Sequence, residues 1–146
     1  MEILDNEELS VLNLISGRVP IIIEVKSKTK RNAIEIKVAE LMDKYNGDYA
    51  IESFNLSTLK WFNKNRQSVV IGYLKGKKNY KSEPIFFKKY DFLNVNYELF
   101  NDKKIRKIRE EKMVLGHIFK TLDEIKSKRD VYDNLCCDNV LEINEL

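Results

Sequence analysis

The stretch Pro20-Ile21-Ile22-Ile23-Glu24-Val25-Lys26 decides how this chain is read, because an apolar run ending in two opposite charges describes a strand with a polar carboxyl end. Side chains alternate along a strand, so Glu24 and Lys26 share one face while Ile21, Ile23 and Val25 take the other. In a parallel sheet covered by helices, strands read as near-continuous apolar runs and ligands collect at their carboxyl ends. A carboxylate and an ammonium placed there suit a cation and a phosphate. The same pattern also describes a strand end where the two side chains reach solvent or pair with each other, and the stretch alone leaves both readings open.

Outward from this strand, the pattern alternates. Asp5 can cap a helix running to about Ser16, with Leu9, Leu12 and Ile15 on one side and Gly17 closing it. Thr29 to Tyr45 reads as a helix with a stripe of Ile34, Val38, Leu41 and Met42, and residues 49 to 54 read as a second strand. Asn55 or Ser57 caps a short helix to about Asn65, and Val69 to Leu74 forms a third strand. Phe92 to Val95 is a fourth strand, Asp102 to Lys112 a charged helix and Met113 to Phe119 a fifth strand. Thr121-Leu122-Asp123-Glu124 has the capping-box spacing for a helix lasting to about Val131, and Asn139 to Ile143 is expected as a sixth strand. Six strands alternating with helices imply an α/β fold with parallel strands and right-handed crossovers. An open doubly wound sheet and part of an eight-stranded barrel both fit. No G-x-G-x-x-G follows any strand, so a dinucleotide site of the doubly wound kind has no support, and the barrel is preferred.

Composition narrows the class. A chain of 146 residues with 43% hydrophobic content can build one core and is expected to be a single domain, 1–146. It contains no apolar run of about 18 residues, and Met1-Glu2-Ile3-Leu4-Asp5 lacks the basic and apolar regions of a signal peptide, so a cytoplasmic location is expected. Cys136 and Cys137 are neighbours, without the spaced partners of a zinc site, and read as a reduced pair. From Lys60 to Tyr90, nine basic residues face one acid, Glu83; this segment carries +8, which leaves −5 for the rest of a chain of net charge +3. Within it, residues 75–91 read as an enlarged basic loop in which Lys75, Lys77, Lys78, Lys81, Lys88 and Lys89 are the candidate contacts for an anionic surface. A solvated loop whose lysines only aid solubility fits the same composition.

The order of motifs resembles the later part of the glycerophosphodiester phosphodiesterase family. The resemblance is carried by Val19 to Lys26, by Ile51-Glu52-Ser53-Phe54-Asn55, by Ile71-Gly72-Tyr73-Leu74, by Val114-Leu115-Gly116 leading into Thr121, and by Cys137-Asp138-Asn139-Val140-Leu141. It implies a partial TIM-type barrel whose six strands correspond to the third through eighth of that family. It also implies metal-assisted hydrolysis of a phosphoric diester, with Mg or Ca as cofactor and a glycerophosphodiester or other phospholipid-derived ligand. On this reading Glu24 is a metal ligand, Lys26 faces the phosphate, Ser53 and Phe54 stand at the mouth of the pocket, and His117 replaces a tryptophan that lines it.

The departures carry equal weight. The family opens with a His-Arg-Gly motif, a Glu and an Asp that complete the metal site, and a second His; none of these precedes Glu24 here, and His117 is the only histidine. No catalytic residue is therefore assigned, and the chain is expected to be a truncated member that is inactive alone. Two open sheet edges would invite a homo-oligomer or a separate amino-terminal fragment. The alternative is a non-catalytic module that uses the basic, aromatic Lys60 to Tyr90 surface for an anionic membrane, with nucleic acid the less favoured partner.

Overall fold

The computed structural model describes residues 6–28, 31–76 and 89–138. Its elements in chain order are α1 (Asn6–Ile15), β1 (Ile21–Glu24), α2 (Ala33–Met42), β2 (Tyr49–Ser53), α3 (Leu56–Asn65), β3 (Val70–Lys75), β4 (Phe92–Asn96), α4 (Asp102–Arg109), β5 (Met113–Phe119), α5 (Leu122–Lys128) and β6 (Asn134–Cys137). The strands form one six-stranded sheet in the order β1-β2-β3-β4-β5-β6. The ladders β1 with β2, β3 with β4, β4 with β5 and β5 with β6 are all parallel.

That order separates the two architectures left open by the sequence. A doubly wound sheet reverses its strand order at a switch point, whereas a sheet that adds every strand on the same side is wound in one sense, as a (β/α) barrel is. No reversal occurs here, and the fold is a partial TIM-type barrel. Contacts divide the chain into two compact units, Met1–Ile71 and Gly72–Leu146.

In the first unit, Ile51, Leu59, Phe62 and Val25 are buried together with Val38 and Met42 of α2. Gly17 closes α1 in the left-handed region at φ 71°, and a Cβ there would fall 2.3 Å from the carbonyl oxygen of Asn46. Asn55 caps α3, its side chain accepting from the Ser57 amide. The core also contains Glu35, on the inner side of α2 where only apolar residues were expected; its Oε1 accepts from Thr58 Oγ1 of α3 at 2.6 Å.

In the second unit, Leu93, Val95, Ile105, Val114 and Phe119 are fully enclosed. Thr121 and Glu124 form the expected capping box, and Glu124 additionally accepts from Tyr97 Oη at 2.9 Å. Arg109 ties the end of α4 to the turn after α5 through Asp133 and the carbonyls of Asp130 and Val131. The sixth strand lies at Asn134–Cys137, earlier than expected, because its backbone pairs in register with Leu115 and Gly116 of β5. Residues 139–143, where it was expected, lie outside the described residues.

Candidate functional site

Glu24 closes β1, and the parallel ladder sets it directly beside Glu52 of β2. Partners in a parallel ladder project from the same face, so two carboxylates stand side by side near the carboxyl ends of neighbouring strands. Glu24 Oε2 lies 3.2 Å from Lys26 Nζ, whose side chain is 75% exposed. An ion pair in water contributes little, so Lys26 can leave Glu24 for a better anion at small cost. Glu24 Oε1 is buried and has no hydrogen-bond partner among the described residues. A buried carboxylate oxygen in that condition carries an uncompensated desolvation cost, which a cation would offset.

Ser53 and Phe54 take different parts. Ser53 is buried; its hydroxyl donates to the Val25 carbonyl at 2.6 Å and accepts from the Asn55 amide at 3.1 Å. Asn55 Nδ2 in turn donates to the Ser27 carbonyl at 3.1 Å. These bonds tie the end of β2 to the backbone on both sides of Lys26, which fixes the segment carrying Lys26. Phe54 is 40% exposed at the strand end. Glu52 was missed as a site residue because the registration of one strand against the next is not written in either strand. The only available signal was that β2, like β1, ends its apolar run with an acid.

The donor set fits a hard divalent cation in part. Two carboxylates, one with an unpartnered oxygen, are ligands of the kind Mg²⁺ or Ca²⁺ takes alongside water and phosphate oxygens. No group of three or more His, Cys, Asp or Glu converges among the described residues.

In the second unit, His117 is 7% exposed and its Nδ1 lies 2.9 Å from Asn94 Oδ1. A carbonyl oxygen only accepts, so Nδ1 carries the proton and the ring is held in one tautomer. Asn94 Nδ2 donates weakly to Cys136 Sγ at 3.7 Å, so Asn94 links β4 to both β5 and β6. Burial pushes His117 down to about 4, and it is neutral at pH 7. Cys136 and Cys137, on β6, are half-buried and not joined in a disulfide.

The basic segment requires one correction. Lys75 does not open an exposed loop: it is the last residue of β3, registered with Val95 of β4 and 1% exposed. The ladder with β4 extends the strand past the apolar run, and the long aliphatic stem of a lysine can be buried with it. Lys89 is exposed, while Lys77, Lys78, Lys81 and Lys88 lie outside the described residues.

No protein-family model and no curated protein matches the sequence. Solved structures do match it. A phosphodiesterase from Oleispira antarctica, in complex with the product sn-glycerol-3-phosphate, superposes with a TM-score of 0.80 at 14% identity, covering 94% of this chain and 59% of that one. The glycerophosphodiester phosphodiesterase of Thermotoga maritima gives 0.74 at 20% identity, over 94% of this chain and 62% of that one. A glycerophosphodiester phosphodiesterase from Parabacteroides distasonis gives 0.66 at 13% identity, over 86% and 54%. The fold is a partial barrel like that of these phosphodiesterases. The chain spans little more than half the length of these phosphodiesterase structures. Among the described residues no helix is long and apolar enough to cross a membrane.

Proposed function

We propose that the chain binds a glycerophosphodiester or its phosphorylated product at the end of β1, with a divalent cation, and is catalytically incomplete by itself. The observation that carries this reading is Glu24, whose buried Oε1 lacks a partner among the described residues while its other oxygen holds Lys26. Glu24 and Glu52 would hold the cation, and Lys26 would bind a phosphate oxygen. A bound cation would supply charge neutralisation of the diester and activation of water. This chain's own residues do the rest: Lys26 orients the phosphate, and the bonds from Ser53 and Asn55 to Val25 and Ser27 keep the strand end in place. Phe54 offers an apolar wall beside them. These residues include no histidine to move the proton, the single histidine of the sequence being His117. General acid–base catalysis contributes roughly 10²- to 10⁴-fold, and His117, buried and held neutral, is poorly suited to it.

The test is hydrolysis of glycerophosphocholine with added Mg²⁺ or Ca²⁺, run beside calorimetric titration of sn-glycerol 3-phosphate with the same ions. The expected result is metal-dependent binding that Glu24→Gln removes, and no turnover above the uncatalysed rate. Turnover that needs the metal and vanishes in Glu24→Gln would show that the chain is complete; absence of both binding and turnover would refute the site.

A further inference from the structure

We infer that the cleft between the end of α1 and the end of α2 binds a small, neutral, polyhydroxylated ligand of monosaccharide size. The cleft lies within the first unit, and the inference does not rest on the proposed phosphodiester ligand. α1 leads into β1 and α2 into β2, so the cleft lies at the amino ends of those strands, whereas Glu24 and Glu52 stand at their carboxyl ends. Barrels of this type place their chemistry at the carboxyl ends, so the cleft is a place for binding and not for turnover. Two glycines build its floor. A Cβ on Gly47 would fall 2.6 Å from Gly17 Cα and 2.9 Å from Tyr45 Cζ, so only glycine lets the two connections and the Tyr45 ring pack this closely. The space left has a volume of about 370 Å³, at the lower end of the range of small-molecule sites.

The lining selects the class of ligand. Tyr45 Oη is buried and has no hydrogen-bond partner among the described residues, a cost that a ligand hydroxyl would remove. Asn13, Ser16 and Asn46 line the same cleft, and each, like Tyr45, can both donate and accept a hydrogen bond. Leu12 and Leu41 add an apolar patch for the C–H face of a sugar ring. Charge disfavours the other classes. Two helices end here, and the partial negative charge of their last carbonyls opposes an anion. Lys44 lines the cleft just past the end of α2, where it complements that partial charge and repels a cation. A wholly apolar ligand would cover the Tyr45 hydroxyl without pairing it. Several hydroxyls and no net charge meet all of these conditions together.

The probes are glucose, N-acetylglucosamine and myo-inositol, each taken to about 10 mM against the full chain, with benzoate as the anionic comparison. Backbone amide NMR reads Gly17, Asn46 and Gly47 at the cleft, and the Glu24 and Glu52 amides report the other end of the strands. The expected result is a saturable shift of the first three with at least one of the polyols, while Glu24 and Glu52 stay unmoved. Tyr45→Phe should weaken that binding by about fivefold, the value of one hydrogen bond. Without ligand it should unfold no more easily than the parent, since the hydroxyl it deletes has no partner among the described residues. Asn13→Ala, at an exposed position of α1, should also weaken binding and serves as the test if Tyr45→Phe folds poorly. No saturable shift with any of the three polyols overturns the inference, as does binding that neither variant weakens. Saturation by benzoate with none by the polyols would show that an anion takes the cleft, and would overturn the choice of ligand.

Discussion

His117 is the residue whose environment differs most from its appearance in the sequence. As the only histidine, on an apolar strand and at a position that a pocket-lining residue occupies in the resembled family, it invited a role with ligand. In the structure it is a buried, neutral ring fixed by Asn94. Burial pushes it from its ordinary 6.5 to about 4, so the unfolded chain binds the proton more tightly than the fold does. Its contribution to stability is therefore fully present above about pH 6.5, declines as pH falls, and is lost by about pH 4. The whole swing is roughly 3 kcal/mol, at 1.4 kcal/mol per unit. His117→Gln cannot titrate yet keeps an amide donor for Asn94. Urea unfolding at pH 7 and pH 4 should show the parent losing about 3 kcal/mol more than this variant across the interval; parallel profiles would show that the ring is not desolvated.

At the scale of elements, the sequence carried local signals well and pairings poorly. β5 begins and ends where the apolar run Met113 to Phe119 does, and Thr121 and Glu124 form the capping box that their spacing announces. Thr121→Ala should therefore cost about 1 kcal/mol, measurable as a lowered unfolding midpoint. The misplaced sixth strand and the buried Lys75 have a common cause: each is decided by the backbone of the neighbouring strand, which local hydrophobicity does not record. Glu35 is another instance, since the helical stripe showed where α2 faces the core but not that Thr58 of α3 would meet a carboxylate there. Glu35 Oε2 has no partner among the described residues, so the pair is only half satisfied. Thr58→Val should destabilise by about 2 kcal/mol, because it strips the carboxyl of a hydrogen bond while leaving it buried. Adding Glu35→Leu should restore most of that loss, since an apolar side chain of similar size needs no partner. Denaturant unfolding of the single and double variants checks both; an additive double variant would mean that the two residues do not interact.

For the whole molecule, fold and activity are separable, and the candidate site divides along the same line. Glu24, Lys26, Ser53 and Phe54 could be named as candidates from the sequence because each lies on a short motif at a strand end, whereas Glu52 joins them as a candidate only once β1 and β2 are registered. A partial barrel can retain a binding site without the groups that complete catalysis, because binding needs charge and geometry while turnover also needs a proton donor and acceptor. The two are distinguishable through linkage. A ligand that binds only the folded chain raises its stability by RT ln(1 + [L]/Kd), about 1.4 kcal/mol at ten times Kd. With Mg²⁺ and sn-glycerol 3-phosphate both present, the thermal midpoint of the parent should rise, and it should rise less with either alone, because the cation and the phosphate share charge at Glu24 and Lys26. Glu24→Gln removes the carboxylate that holds the cation and should abolish the joint effect. It should also unfold no more easily than the parent in the absence of ligand, since the Oε1 it replaces is unpartnered among the described residues. A midpoint shift that survives in Glu24→Gln, or a shift produced equally by inorganic sulfate without metal, would mean that the anion binds elsewhere and that Glu24 is an ordinary strand end.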